Sequence, residues 1–87
     1  MGLSSLFFLI MSQFKITYGV GGGYNDISEQ IIEVDNLNEA EQIAYELAVE
    51  VFDSYGIYEE NDMTEEYDES EYQESIERWI DYSAEAV

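Results

Sequence analysis

The chain contains no cysteine, no histidine and no proline, and its only basic residues are Lys15 and Arg78. Without cysteine there is neither a disulfide framework nor a thiolate metal site. Without histidine the imidazole ligand and the commonest general base are missing as well. Without proline, no X-Pro isomerisation enters folding. The shortage of cations excludes most: direct binding to DNA or RNA phosphates needs clustered Lys and Arg to displace condensed counterions. Anionic membrane surfaces are disfavoured for the same reason.

Against two bases stand 21 acids, all between Asp26 and Glu85, and the formal net charge of the 87 residues is −19. Disorder usually pairs high charge with few aromatics. Here 46% of residues are hydrophobic and 15% aromatic, which is material for a core. A chain of this length fits one small domain that buries only about 60 to 65% of the surface its unfolded form exposes, so modest stability is expected.

Residues 1–12 are uncharged and carry an apolar run from Leu6 to Met11. The run is too short to span a bilayer and lacks the basic region and cleavage site of a secretory signal. Three readings stay open: a dispensable extension ahead of a start at Met11, an extra strand or oligomer contact, or a membrane-touching segment. Residues 13–87 are expected to form the domain itself.

From Phe14 to Val20 the pattern alternates, with Phe14, Ile16, Tyr18 and Val20 on one face, which predicts a half-buried strand. Gly21 to Gly23 and Tyr24-Asn25-Asp26 supply turn residues, and a second strand over about Ser28 to Val34 completes an antiparallel hairpin. The next segment predicts a helix with Asn36 as N-cap, Glu39 three residues on and Gly56 at the C-cap. Leu37, Ala40, Ala44, Leu47, Val51 and Tyr55 form its apolar stripe, and the small alanines let its backbone lie close to the sheet. Ile57 to Thr64 reads as a loop. A second helix is predicted from near Asp68 or Ser70, with Tyr72, Ile76, Trp79, Ile80 and Ser83 on one face and Ala84 and Val87 extending it. Glu74 and Arg78 are spaced to pair on it. The expected fold is therefore α+β, in the order ββαα: a small antiparallel hairpin against two helices. Because a lone hairpin is marginal, helical packing, an N-terminal third strand or a homodimer must complete the core.

Four constellations bear on function. The glycine string of YGVGGGY lacks a following helix and a Lys, so a hairpin turn is preferred to a phosphate cradle. Around Glu60-Asn61-Asp62 a calcium loop fails, since the sixth position from Asp62 is Tyr67 rather than Gly. Carboxylate pairs such as Glu65 with Glu69 or Glu46 with Glu50 have little pocket to flank, so no enzymatic activity and no cofactor is expected. There remains the acidic surface itself. From Glu59 to Glu77 ten of nineteen residues are Asp or Glu and none before Arg78 is basic. Mutual repulsion at this density favours the expanded chain, so it is tolerated for a reason other than stability. Carboxylates one helical turn apart lie about 5 to 6 Å from one another, near the phosphate spacing of a nucleic-acid strand. Tyrosine adds contact area at low entropic cost. Candidate partner-binding residues are Tyr58, Glu59, Glu60, Asp62, Glu65, Glu66, Tyr67, Asp68, Glu69, Glu71 and Glu74, with Glu46, Glu50 and Asp53 from the first helix.

The short chain, the charge density, the small strand-and-helix core and the Tyr-interleaved acidic run together resemble small acidic phage-encoded inhibitors, while GGG after a Tyr-containing strand, EAEQIAYELAVE and ERWIDYSAEA look like a widespread class of short phage proteins. Among those inhibitors are DNA mimics that act on restriction enzymes, on uracil-DNA glycosylase and on CRISPR effectors. The resemblance covers residues 13–87 and implies binding to the basic surface of a nucleic-acid-handling protein in the cytoplasm of an infected bacterium. It transfers no functional residue. A different reading makes the chain an adaptor or assembly module that binds through apolar surface, Trp79 with Leu6 to Ile10, while the acids keep it soluble.

Overall fold

The computed structural model describes residues 12–87, so the N-terminal run Leu6 to Ile10 and the readings that rest on it lie outside the described residues. The fold is α+β. Strands β1 (Ser12–Val20) and β2 (Asp26–Val34) form the expected hairpin, helix α1 (Leu37–Tyr55) follows, and a π-helical turn (Tyr58–Asp62) leads to helix α2 (Glu69–Trp79) and strand β3 (Ile80–Ala86). β1 is central: it pairs antiparallel with β2, Val20 opposite Asp26, and with β3, Val20 opposite Ile80.

The third strand is therefore C-terminal, and the expected second helix ends at Trp79, eight residues before Val87, to which the periodicity extended it. Ile80, Tyr82, Ala84 and Ala86 alternate with Asp81, Ser83 and Glu85, and either period accommodates the apolar residues. What decides is the free edge of β1, which offers a full ladder of main-chain hydrogen bonds. The switch sits at Trp79, whose carbonyl accepts from the Gly21 amide at 2.9 Å.

Local signals set the helix ends. Asn36 accepts from the Glu39 amide at 2.9 Å while Glu39 reaches back to the Asp35 amide at 3.1 Å, and Gly56 closes α1 in the left-handed conformation (φ 65°). Asp68 caps α2 by accepting from the Ser70 and Glu71 amides. On α1 the fully buried line is Ala40, Ala44, Ala48 and Phe52, whereas Leu37 and Tyr55, at the ends of the expected stripe, are exposed. The alanines bring the helix down onto Phe14 and Ile16. At the other end of the sheet Val20, Phe52, Ile57, Tyr58 and Ile76 form a second buried cluster. Each large apolar side chain removed from water there contributes roughly 1.5 to 3 kcal/mol. On the opposite face of the sheet Ile27 and Ile31 are exposed, and no helix among the described residues packs there. No helix among the described residues is long and apolar enough to cross a membrane.

The glycines act as a hairpin turn, as expected, and also as clearance. A Cβ on Gly22 would sit 2.6 Å from the Trp79 ring. Gly19 has φ +153°, and a Cβ there would overlap the Asp26 carbonyl oxygen. Replacing Gly19 with Ala should cost about 3 kcal/mol or more, read as a lowered urea midpoint at unchanged slope.

Candidate functional site

The acidic segment after α1 is pinned at both ends. After Gly56 the chain turns inward and buries Ile57 and Tyr58, and the Met63 amide closes the π turn on the Tyr58 carbonyl at 2.7 Å. The Tyr58 hydroxyl meets the Asp68 amide and carbonyl, each at 3.2 Å, and so holds the residue that caps α2. Tyr58, expected on a partner-facing loop, is thus a core residue, 1% exposed. Its ring has nowhere else to go once α1 stops, since Phe52, Ile57 and Ile76 present apolar surface directly beneath it.

Asp62 is the second correction. Its carboxylate accepts from Ser75 Oγ, from Trp79 Nε1 at 2.9 Å and from Arg78 Nη1 at 2.8 Å. Arg78 therefore pairs with Asp62 rather than with Glu74 one helical turn away. A rigid, partly shielded acceptor that also binds two neutral donors outcompetes an exposed pair on a helix surface. The Ser75 bond, foremost, with help from Trp79 and Arg78, holds the Asp62 carboxyl below the usual carboxylate range against the opposing effect of burial. Trp79, in turn, is half-buried against Gly22 and Tyr24, so it is not the open apolar anchor that an adaptor would use.

The remaining expected residues surround a tyrosine patch. Tyr67 is 60% exposed and leans on Tyr58 (ring centroids 5.9 Å) and Tyr72 (5.6 Å), and Tyr72 packs on Phe52. The Tyr72 hydroxyl donates to Asp53, which joins the end of α1 to α2. Burial, then Asp53, pushes the Tyr72 hydroxyl well above its ordinary value, and burial also raises that of Tyr58, so both remain protonated donors. Glu59, Glu60, Glu65, Glu66, Asp68, Glu69, Glu71 and Glu74 are exposed; Asp68 caps α2, and Glu71 accepts from the Tyr58 hydroxyl at 3.4 Å. Glu46, Glu50 and Asp53 form an exposed row along α1 toward it, with Glu46 accepting from Gln42 at 3.0 Å. Among the described residues no group of three or more acids is placed to hold a metal ion.

A second surface escaped the sequence reading. Asn38, Glu41, Gln42, Tyr45 and Tyr82 line a hollow of about 380 Å³, and Tyr45, Gln73, Glu77, Ile80 and Tyr82 line an adjoining one of about 410 Å³. Tyr45 and Tyr82 meet edge to face, 5.3 Å apart. The only available signal was the two-residue alternation of Ile80 to Ala86, which places Tyr82 on the helix-facing side of a strand.

Asp62→Asn should destabilise the domain by about 2 kcal/mol at neutral pH, since hydrogen bonds to a charged acceptor are weakened together. The folded-state pKa of Asp62 is depressed. Its contribution is therefore fully present above the ordinary carboxylate range and lost as pH falls through the lowered value. The gap between wild type and variant should close on acidification, measured by thermal melts from neutral pH downward. No family model, no curated protein and no solved structure matches this chain.

Proposed function

We propose that the chain is a phage-derived, non-enzymatic acidic protein that binds a host defence nuclease, a CRISPR effector or another nuclease, in the bacterial cytoplasm. It occupies the positively charged surface where that nuclease holds nucleic acid. The observation that carries this reading is that both cations are already engaged. Arg78 lies 2.8 Å from Asp62, and Lys15 lies 3.6 Å from Glu85 and 4.0 Å from Glu29. The exposed carboxylates of α1, of the segment 59–67 and of α2 are left without a compensating base.

Such a surface presents an anionic face with helical carboxylate spacing, on a scaffold braced by Tyr58 and Asp62. Rigidity matters because the ordering cost is met during folding rather than on binding. The exposed Tyr67 ring adds an aromatic contact at the centre of the charge.

Affinity for such a nuclease should fall at least about tenfold between low and high salt, because exposed charges are screened. Changing Glu65, Glu66, Asp68 and Glu69 together to amides should weaken low-salt binding by at least about tenfold, with folding retained because Asn caps helices as well as Asp. Binding that ignores both salt and these amides would overturn the proposal. Biolayer interferometry against immobilised nucleases, with circular dichroism as the folding control, reads both.

A further inference from the structure

The two edges of the sheet differ. Helix α1 lies over β1 and β3 and barely touches β2, so among the described residues only the β3 edge has a helical wall beside it. The ladder fixes which main-chain groups that edge presents. Gly21 N–H donates to the Trp79 carbonyl at 2.9 Å, and Val87 N–H donates to the Gln13 carbonyl at 3.1 Å. Between these two bonds the antiparallel alternation turns Asp81, Ser83 and Glu85 toward β1, and Tyr82 and Ala84 outward. Among the described residues no strand pairs with those outward groups.

We infer that the outer edge of β3 receives an extended, arginine-containing segment of the partner as a fourth strand, with its inward side chains in the hollow between α1 and β3. The inference rests on the reading above of a basic partner and names where that partner first grips. A strand laid along β3 has two faces. On the helix side its side chains meet the Tyr45 and Tyr82 rings, the carboxylates of Glu41 and Glu77, and the amides of Asn38, Gln42 and Gln73. On the open side they meet Asp81 and Glu85, which lie on the other face of β3. Aromatic rings beside carboxylates suit a guanidinium, which stacks on the ring while donating to the acid. Main-chain pairing supplies affinity and the alternate side chains supply selection.

Charge also decides against the obvious competitor, a second copy of this chain. Pairing β3 with β3 would bring Glu77, Asp81 and Glu85 of one copy against the same acids of the other, between molecules of net charge −19.

The test uses the full chain and a seven-residue probe peptide of alternating Arg and Thr, with a second peptide of identical charge N-methylated at every residue, so that neither of its edges keeps a donor. Saturating probe should slow amide hydrogen exchange at Tyr82 and Ala84 by at least about tenfold, and the methylated peptide should bind at least about tenfold more weakly. Ala84→Pro removes an outward N–H that β1 does not use, so it should fold by circular dichroism and lose the probe to the same extent. If that variant does not fold, the methylated pair and the exchange map decide alone. Equal binding of the two peptides, no slowing at Tyr82 and Ala84, or slowing at Ile27 and Ile31 on the β2 edge instead would overturn the inference. So would protection of Tyr82 and Ala84 without probe, whether it grows with protein concentration, which assigns the edge to a second copy, or vanishes when residues 1–11 are deleted. Nuclease binding that survives Ala84→Pro but is lost in the four-amide variant removes the edge while leaving the proposed function standing. The peptide measurements need no nuclease and hold if that function fails.

Discussion

The carboxylate of Asp62 joins three parts of the chain that are distant in sequence. It ends the π turn after α1, takes hydrogen bonds from Ser75, Arg78 and Trp79 on α2, and through Trp79 fixes the ring against which the glycine turn of the hairpin packs. A partly shielded charge with several donors is stable only while all of them are present, because an unpaired one bears the full desolvation cost. That condition ties the turn, the helix and the hairpin into one arrangement. Tyr58 works beside it: its ring fills the core and its hydroxyl holds the main chain of Asp68, where α2 begins.

This bracing explains how so acidic a chain keeps a fixed shape. Like-charge repulsion acts over many pairs but weakly at each exposed site, being screened by solvent and salt. The opposing contacts among the described residues are few and short-ranged: two buried clusters, two capped helices and the Asp62 hub. The charge is thus carried on the outside of a scaffold whose polar interior is satisfied; among the described residues no buried side-chain nitrogen or oxygen lacks a partner. A rigid anionic surface differs from an acidic tail in holding its carboxylates at set spacings.

Much of the fold was legible because its signals are local. The alternation of Phe14 to Val20, the caps at Asn36, Gly56 and Asp68 and the alanine line of α1 each depend on neighbours within a few residues, and each appears where expected. The candidate surface was less legible. Composition marks Glu65, Glu66 and Glu69 as exposed acids, but nothing in the run YEENDMTEEYDE separates Asp62, an internal acceptor, from its neighbours. Nor does it separate Tyr58, which is buried, from Tyr67, which is not. Those distinctions follow from which side chains of α2 and of the core lie opposite.

By itself, then, the sequence determined that this is a small α+β domain with a hairpin, a well-capped helix and a surplus of surface carboxylates. Charge balance, periodicity and caps are properties of the chain at short range. Only the tertiary structure decided that Ile80 to Ala86 leaves the helix to become a strand, since the free edge of β1 that rewards it is some sixty residues away in sequence. The same non-local step gathered Tyr45 of α1 and Tyr82 of β3 beside an open edge. It also turned one acid of an acidic run into the anchor of the fold, because a hydrogen-bond hub exists only once its donors have been brought together.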